Sequence, residues 1–261
     1  MKSRLLKILC FVASPIVFPA LAAAADHPKL AELEKAGAVA LLQAADDAMT
    51  QWKDQTLKVK MTTSGAGDAE HSISMTIFSK GASLRALRYD EPADVRGMGV
   101  VIKGSDEIYV RLPDNENVRR VASHARKQGM QGTDYAFDDT VLTRLGGEFD
   151  PTITGHDDKT VQMTLKRKPD SKVGYSRLDI KIDREHLTIP FLQSYDDDGS
   201  VLKVEERSEL SSQPAGNKVY KLIWVKSMKK DHKTRIDVLD EAVNTNLSDD
   251  MFSKRWLARG K

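Results

Sequence analysis

The sequence predicts a mainly β fold with helices (α+β): a single antiparallel sheet curled into an incomplete barrel. Three observations carry that expectation. One helical stretch precedes a long series of segments with a hydrophobic period of two, the connections between those segments are short, and few helices remain to hide the apolar face of the sheet. A sheet that is apolar along one face and short of covering helices hides that face most economically by curling around them, so an N-terminal helix and short helical plug or lid segments are expected to close it.

The elements follow in order. Residues 1–25 read as a secretory signal peptide: Lys2, Arg4 and Lys7 form the positive end, Leu5 to Phe18 the apolar run, and Ala20 to Ala25 the small-residue cleavage region. Pro15 and Pro19 interrupt a run already too short to span a bilayer. From Pro28 to Trp52, Ala38, Leu41, Leu42, Ala45, Ala48, Met49 and Trp52 recur at helical spacing, which predicts one amphipathic helix. After it Ile73, Met75 and Ile77 alternate with polar residues, as do Met98, Val100 and Ile102, then Ile108, Val110 and Leu112. Val161 to Leu165, Leu178 to Ile182, Phe191 to Tyr195, Val201 to Arg207, Val219 to Val225 and Arg235 to Leu239 continue the pattern, for roughly nine to eleven strands.

Turn chemistry separates them at Ser64-Gly65-Ala66-Gly67, Lys103-Gly104-Ser105-Asp106, Asp114-Asn115-Glu116-Asn117 and Asp196-Asp197-Asp198-Gly199. Residues 122–147 interrupt the meander with a long polar, glycine-containing segment in which Asp138 to Leu145 is a candidate short helix. Ser248 is a candidate N-cap for a last helix from Asp249 to Leu257. No repeat or linker divides residues 26–261, which are expected to form one domain.

Composition narrows the function. Cys10, the lone cysteine, lies inside the signal peptide, so the mature chain is expected to lack disulfides, thiolate metal sites and cysteine nucleophiles. Cleavage removes three cations and no anions, taking the net charge from +2 to about −1, with both signs interspersed. That balance argues against nucleic-acid binding. Six scattered histidines make no i,i+4 pair, and no phosphate-binding, dinucleotide, zinc-protease or nucleophile-elbow motif is present, so no metal, cofactor or catalytic residue is expected. Ser194 to Glu205 imitates a calcium loop but begins on serine between two strands, and reads as a hairpin turn.

Four pieces stand in order within about forty-five residues: Pro92-Ala-Asp-Val-Arg-Gly-Met-Gly99, Tyr109-Val-Arg-Leu-Pro113, Val118-Arg-Arg-Val121 and Gly129-Met-Gln-Gly-Thr-Asp-Tyr135. Together they resemble the outer-membrane lipoprotein-sorting proteins of the LolA-like branch of the LolA/LolB carrier superfamily. The resemblance implies an open barrel whose apolar cavity takes up acyl chains and carries them between the inner and outer membranes. It further implies a periplasmic location, a lipidated protein or lipid as cargo, an inner-membrane exporter of RND type, an outer-membrane acceptor, transient membrane contact and a monomer.

On that reading Ile73, Met75, Ile77, Met98, Val100, Ile108, Val110, Leu178 and Ile180 line the cavity, with the thioethers adapting to chains of variable shape. Arg96, Asp134 and Tyr135 latch a lid, since a guanidinium bridges several carbonyls at once. Arg119, Arg120, Arg126 and Lys127 form a basic cluster suited to anionic headgroups or an acidic partner. Two other classes stay open: an envelope-stress sensor that detects mislocalised lipoproteins, and an envelope hydrolase.

Overall fold

The computed structural model describes residues 25–65, 69–113, 117–212 and 216–260. Residues 1–24, which hold Cys10 and all but the last residue of the expected signal peptide, and the turn residues Ala66, Gly67, Asp114, Asn115 and Glu116, lie outside the described residues. Two helices come first, α1 (Leu30–Ala36) and α2 (Ala38–Met49). They replace the one continuous helix expected from the periodicity. Gly37 separates them at φ 105° and ψ 175°, a conformation that residues with a side chain rarely adopt.

Seven strands precede the second half of the molecule: β1 (Asp54–Gly65), β2 (His71–Lys80), β3 (Leu84–Glu91), β4 (Gly99–Lys103), β5 (Glu107–Arg111), β6 (Val118–Arg120) and, after α3 (Phe137–Val141), β7 (Phe149–His156). Then follow β8 (Thr160–Arg167), β9 (Arg177–Asp183), β10 (Phe191–Tyr195), β11 (Val201–Ser212), β12 (Lys218–Ser227) and β13 (His232–Val243). A 3-10 turn at Asp249–Phe252 and α4 (Lys254–Arg259) end the chain.

All thirteen strands belong to one antiparallel sheet in the order β6-β5-β4-β3-β2-β1-β13-β12-β11-β10-β9-β8-β7. Two meanders are thus joined where β1 pairs with β13, from Gln55 opposite Val243 to Gly65 opposite His232. The end strands β6 and β7 do not pair, so the sheet curls without closing. Register shifts at Lys58/Val59, Ser74/Met75, Ile153/Gly155 and Ser194/Tyr195 supply the local twist and bend that curling needs.

The concave face is covered in two halves. α1 and α2 bring Leu30, Leu41, Leu42 and Ala45 against Val161, Met163, Leu178 and Ile180 of the β7 to β10 half. The segment between β6 and β7 brings Met130, Tyr135 and Phe137 against Ile73, Met75, Val100 and Ile108 of the β1 to β5 half. Alternation then places Ala86 and Val101 on the opposite face, where Phe252 and Leu257 cover them. The C-terminal pieces therefore serve the outer wall, while plugging is left to α1, α2 and α3. Ser248 caps Asp250 N–H as its position suggests, and Ser253 caps Trp256 N–H, dividing the expected last helix into two turns.

Candidate functional site

Where the two covers meet, a cavity of about 180 Å³ remains. Its apolar wall draws on every neighbouring element: Met49 and Trp52 from the end of α2 and beyond, Leu57 from β1, Leu192 from β10, Ile223 from β12 and Val238 from β13. Leu142 and Leu145 roof it from the segment before β7, and Tyr135 and Tyr220 are amphipathic members of the lining. The volume is close to that of a small engineered cavity able to hold a benzene-sized guest, and smaller than typical small-molecule pockets.

One side of this cavity is charged and internally paired. Asp139 accepts bonds from the Ala136 N–H at 2.6 Å and the Tyr175 hydroxyl at 2.8 Å, and pairs with Lys203. Glu205 and Arg207 pair at 2.5 Å. Burial opposes the charge of Arg207, yet Glu205 beside it raises its pKa. Tyr135 is pushed up by burial and then by Asp139 and Glu205, so it stays neutral. The carboxylates of the site, Asp46, Asp139 and Glu205, are each held by a partner. The site is a greasy seam with a neutralised polar end.

Polar clips fasten the two covers around this seam. Asp46 of α2 accepts from the Leu145 and Gly146 N–H groups, both at 2.9 Å, and burial raises its pKa. Arg144 reaches back to Asp47 at 2.5 Å and to the Thr50 hydroxyl at 2.7 Å. Arg85 of β3 donates to the carbonyls of Gly81 (3.0 Å), Ala82 (3.3 Å) and Leu84 (2.7 Å), and to the Thr143 hydroxyl. Desolvation brings its pKa down to about 10, so it remains protonated.

Residues 129–136 form a small hairpin in which Met130 N–H donates to Tyr135 at 2.8 Å. A methyl group on Gly129 would lie 1.6 Å from the Thr133 carbonyl oxygen, which is why the hairpin needs glycine there. Asp134 anchors the hairpin to β13: its N–H donates to the Thr234 hydroxyl at 2.8 Å, and its carboxylate meets His232 Nδ1 at 2.8 Å.

The residues expected from sequence fall into three groups. Ile73, Met75, Met98, Val100, Ile108, Leu178 and Ile180 are buried on the inner face, and Ile77 and Val110 pack beside them. They fill the two halves of the interior, and the open seam between the halves is lined by other residues. Among the expected latch residues, Asp134 holds the hairpin and Tyr135 lines the seam. Arg96 does not reach the lid. It is exposed and donates to the Asp90 carbonyl at 3.0 Å within its own turn, because Val95 and Met98 take the inward positions. The carbonyl-bridging role expected of Arg96 is filled by Arg85.

The basic cluster also divides. Arg119 and Arg120 are exposed on β6, whereas Arg126 is buried in a 2.6 Å ion pair with Asp138 and Lys127 bonds Asp196 at 2.7 Å. Burial drives the Asp138 carboxyl upward, and Arg126 opposes that rise. Arg85, Asp139, Lys203, Glu205 and Arg207 were not expected from the sequence. Their signal is charge at positions that alternation assigns to the inner face, as at Lys203 and Glu205 of β11.

Over residues 81–259 the chain matches the model of a family described as uncharacterized-protein-like. The chain belongs to that family. A putative outer membrane lipoprotein-sorting protein domain from Vibrio parahaemolyticus superposes with a TM-score of 0.77 at 18% identity, covering 87% of this chain and 100% of that one. A LolA superfamily protein from Nitrosomonas europaea gives 0.73 at 20% identity, covering 84% and 98%. A DUF1329 family protein from Desulfovibrio piger gives 0.77 at 20% identity, covering 84% and 97%. None of the curated proteins is significantly similar to the chain. At these identities the solved structures establish the LolA-like fold, an open antiparallel sheet closed by helices.

Proposed function

We propose that this protein is a periplasmic carrier that shelters the acyl chains of a lipidated protein or lipid during transit between membranes. The observation that carries the proposal is the seam cavity, apolar on most sides and lined where the two covers meet. Each methylene withdrawn from water contributes about 0.8 kcal/mol, so a chain of ordinary length gains enough from such a site without any specific polar contact.

At about 180 Å³ the seam accepts only the leading part of a chain. Displacing the lid hairpin or α2 extends it along the inner face, toward Ile73, Met75, Ile77, Met98, Val100, Ile108 and Val110 on one side and Leu178 and Ile180 on the other. The polar clips are the elements such a movement breaks and remakes. Loading and release then depend on hand-over from an inner-membrane exporter, of RND type in the family resemblance, and to an outer-membrane acceptor. Nothing in the chain's chemistry calls for a catalytic cycle, and residues 26–261 act as one monomeric domain after signal-peptide removal.

Mass spectrometry of organic extracts tests the reading on protein purified from its native envelope. Stoichiometric phospholipid, or a co-purifying lipoprotein, supports it. Extracts free of acyl chains, with none taken up from supplied fatty acid, contradict it.

A further inference from the structure

A second concavity of about 580 Å³ opens on the molecule away from the greasy seam. Its walls are Arg120 at the end of β6, Arg126 in the following loop, Arg167 at the end of β8, and Lys168 and Lys172 in the connection to β9. Asp106 supplies the one carboxylate among its lining residues. Three separate stretches of chain thus bring five cations to one cleft.

Pairing does not neutralise it. Asp138 and Asp197 hold Arg126 and Arg167 at 2.6 Å and 2.8 Å. Arg120 and Lys168 donate to carbonyl oxygens, of Asp106 at 3.0 Å and Gly146 at 2.7 Å, which fixes their positions and leaves their charge uncompensated. Lys172 is exposed with no hydrogen bond or ion pair among the described residues. Arg126 is 4% exposed, yet its Nε–H has no hydrogen-bond acceptor. A buried guanidinium donor left unmatched beside a cationic cleft fits a site whose acceptor arrives with a ligand.

We propose that this cleft binds a phosphate group. A tetrahedral dianion or a phosphodiester supplies the several oxygens that Arg120, Arg126 and Lys172 lack, and guanidinium donors suit it geometrically. The inference deepens the carrier reading, because α3 serves both places: Asp138 holds Arg126 at the cleft while Asp139 lines the seam cavity. A phospholipid headgroup is one source of such a group, and free phosphate is the other. The cleft stands on its own residues, so its failure and that of acyl binding are separately visible.

The test uses two probes on the protein and on a double variant, Arg120→Gln with Lys172→Gln, whose side chains lie at the open edge. Inorganic phosphate is titrated while backbone amide resonances are followed. Vesicles of phosphatidylglycerol mixed with phosphatidylcholine, and of phosphatidylcholine alone, are assayed by flotation. Saturable shifts in residues 167–173 on phosphate addition, absent in the double variant, support the site and identify free phosphate as sufficient. No shift with phosphate, but binding to the anionic vesicles that weakens about fivefold per cation removed, supports it with the lipid headgroup as the source. Absence of both responses overturns the proposal. So does vesicle binding that is equal on the two compositions or unchanged in the double variant. Acyl-chain content of organic extracts, measured on the same samples, reports on the carrier reading independently.

Discussion

At Arg126 and Asp138 two opposite charges share a nearly dry site, with side chains 5% and 0% exposed. Removing one partner leaves the other buried and uncompensated, so Arg126→Leu is expected to lower unfolding free energy by about 3–5 kcal/mol, and Arg126→Leu combined with Asp138→Leu by markedly less. Denaturant melts of the three variants check this. Asp196 behaves differently because it is near the surface. Lys127 and Lys229 hold its carboxyl well below the ordinary value of 3.8, so the ionised form favours the folded state. That contribution is present above the unfolded pKa and is lost as pH falls through it toward the folded value. Asp196→Asn should therefore be less stable than the parent at pH 7, by up to about 1 kcal/mol, with the difference vanishing in acid. A pH series of thermal melts reads both ends.

Elements show why some of the structure was legible in the sequence and some was not. β2, β5 and β8 to β13 announce themselves through alternation because one face of each is wetter than the other, whereas β4 is buried on both faces and read only through Val100 and Ile102. β3 does not: Arg85, Ala86 and Leu87 are buried consecutively, since α4 covers its outer face and Arg85 is turned to a structural task. β6 is three residues long, and β7 carries a proline and a glycine, so neither has enough period to read. The helical stretch was legible as apolar spacing but its break was hidden, because Gly37 is one residue in a continuous pattern. Gly37→Ala is expected to cost about 1–3 kcal/mol through its φ of 105°, since no neighbouring atom obstructs the added methyl. Of the candidate site, the inner-face residues were readable, while the charged residues left only charge at inner-face positions, a trace that names no partner. Arg85→Met releases Thr143 from β3, and amide exchange over residues 141–147 should quicken about tenfold or more while β8 to β10 keep their protection.

For the whole molecule, one open sheet with two covers clipped together is the arrangement by which, on the proposed reading, a packed interior also serves as a binding site. The covers fill the two halves, Val141 packing against both, and an apolar void falls where they meet. Enlarging that void requires sliding the covers apart along the sheet, while the thirteen-strand ladder and the outer helix stay in place. On the proposed carrier reading, parting the covers would then be separate from unfolding. Filling the seam with Ile223→Trp should leave the melting transition cooperative and reduce acyl uptake by an order of magnitude. Thermal melts and fatty-acid titrations on the same variant distinguish a blocked cavity from a damaged fold.

The most direct measurement is photo-crosslinking with a saturated fatty acid carrying a diazirine near its methyl end, followed by peptide mapping. The account predicts labels on seam residues such as Leu57, Leu192, Ile223 and Val238, spreading to Met75, Met98 or Ile180 as the covers part, and suppressed by excess unlabelled fatty acid. Labels confined to the outer wall around Trp256 and Tyr109, or insensitive to competitor, would contradict it.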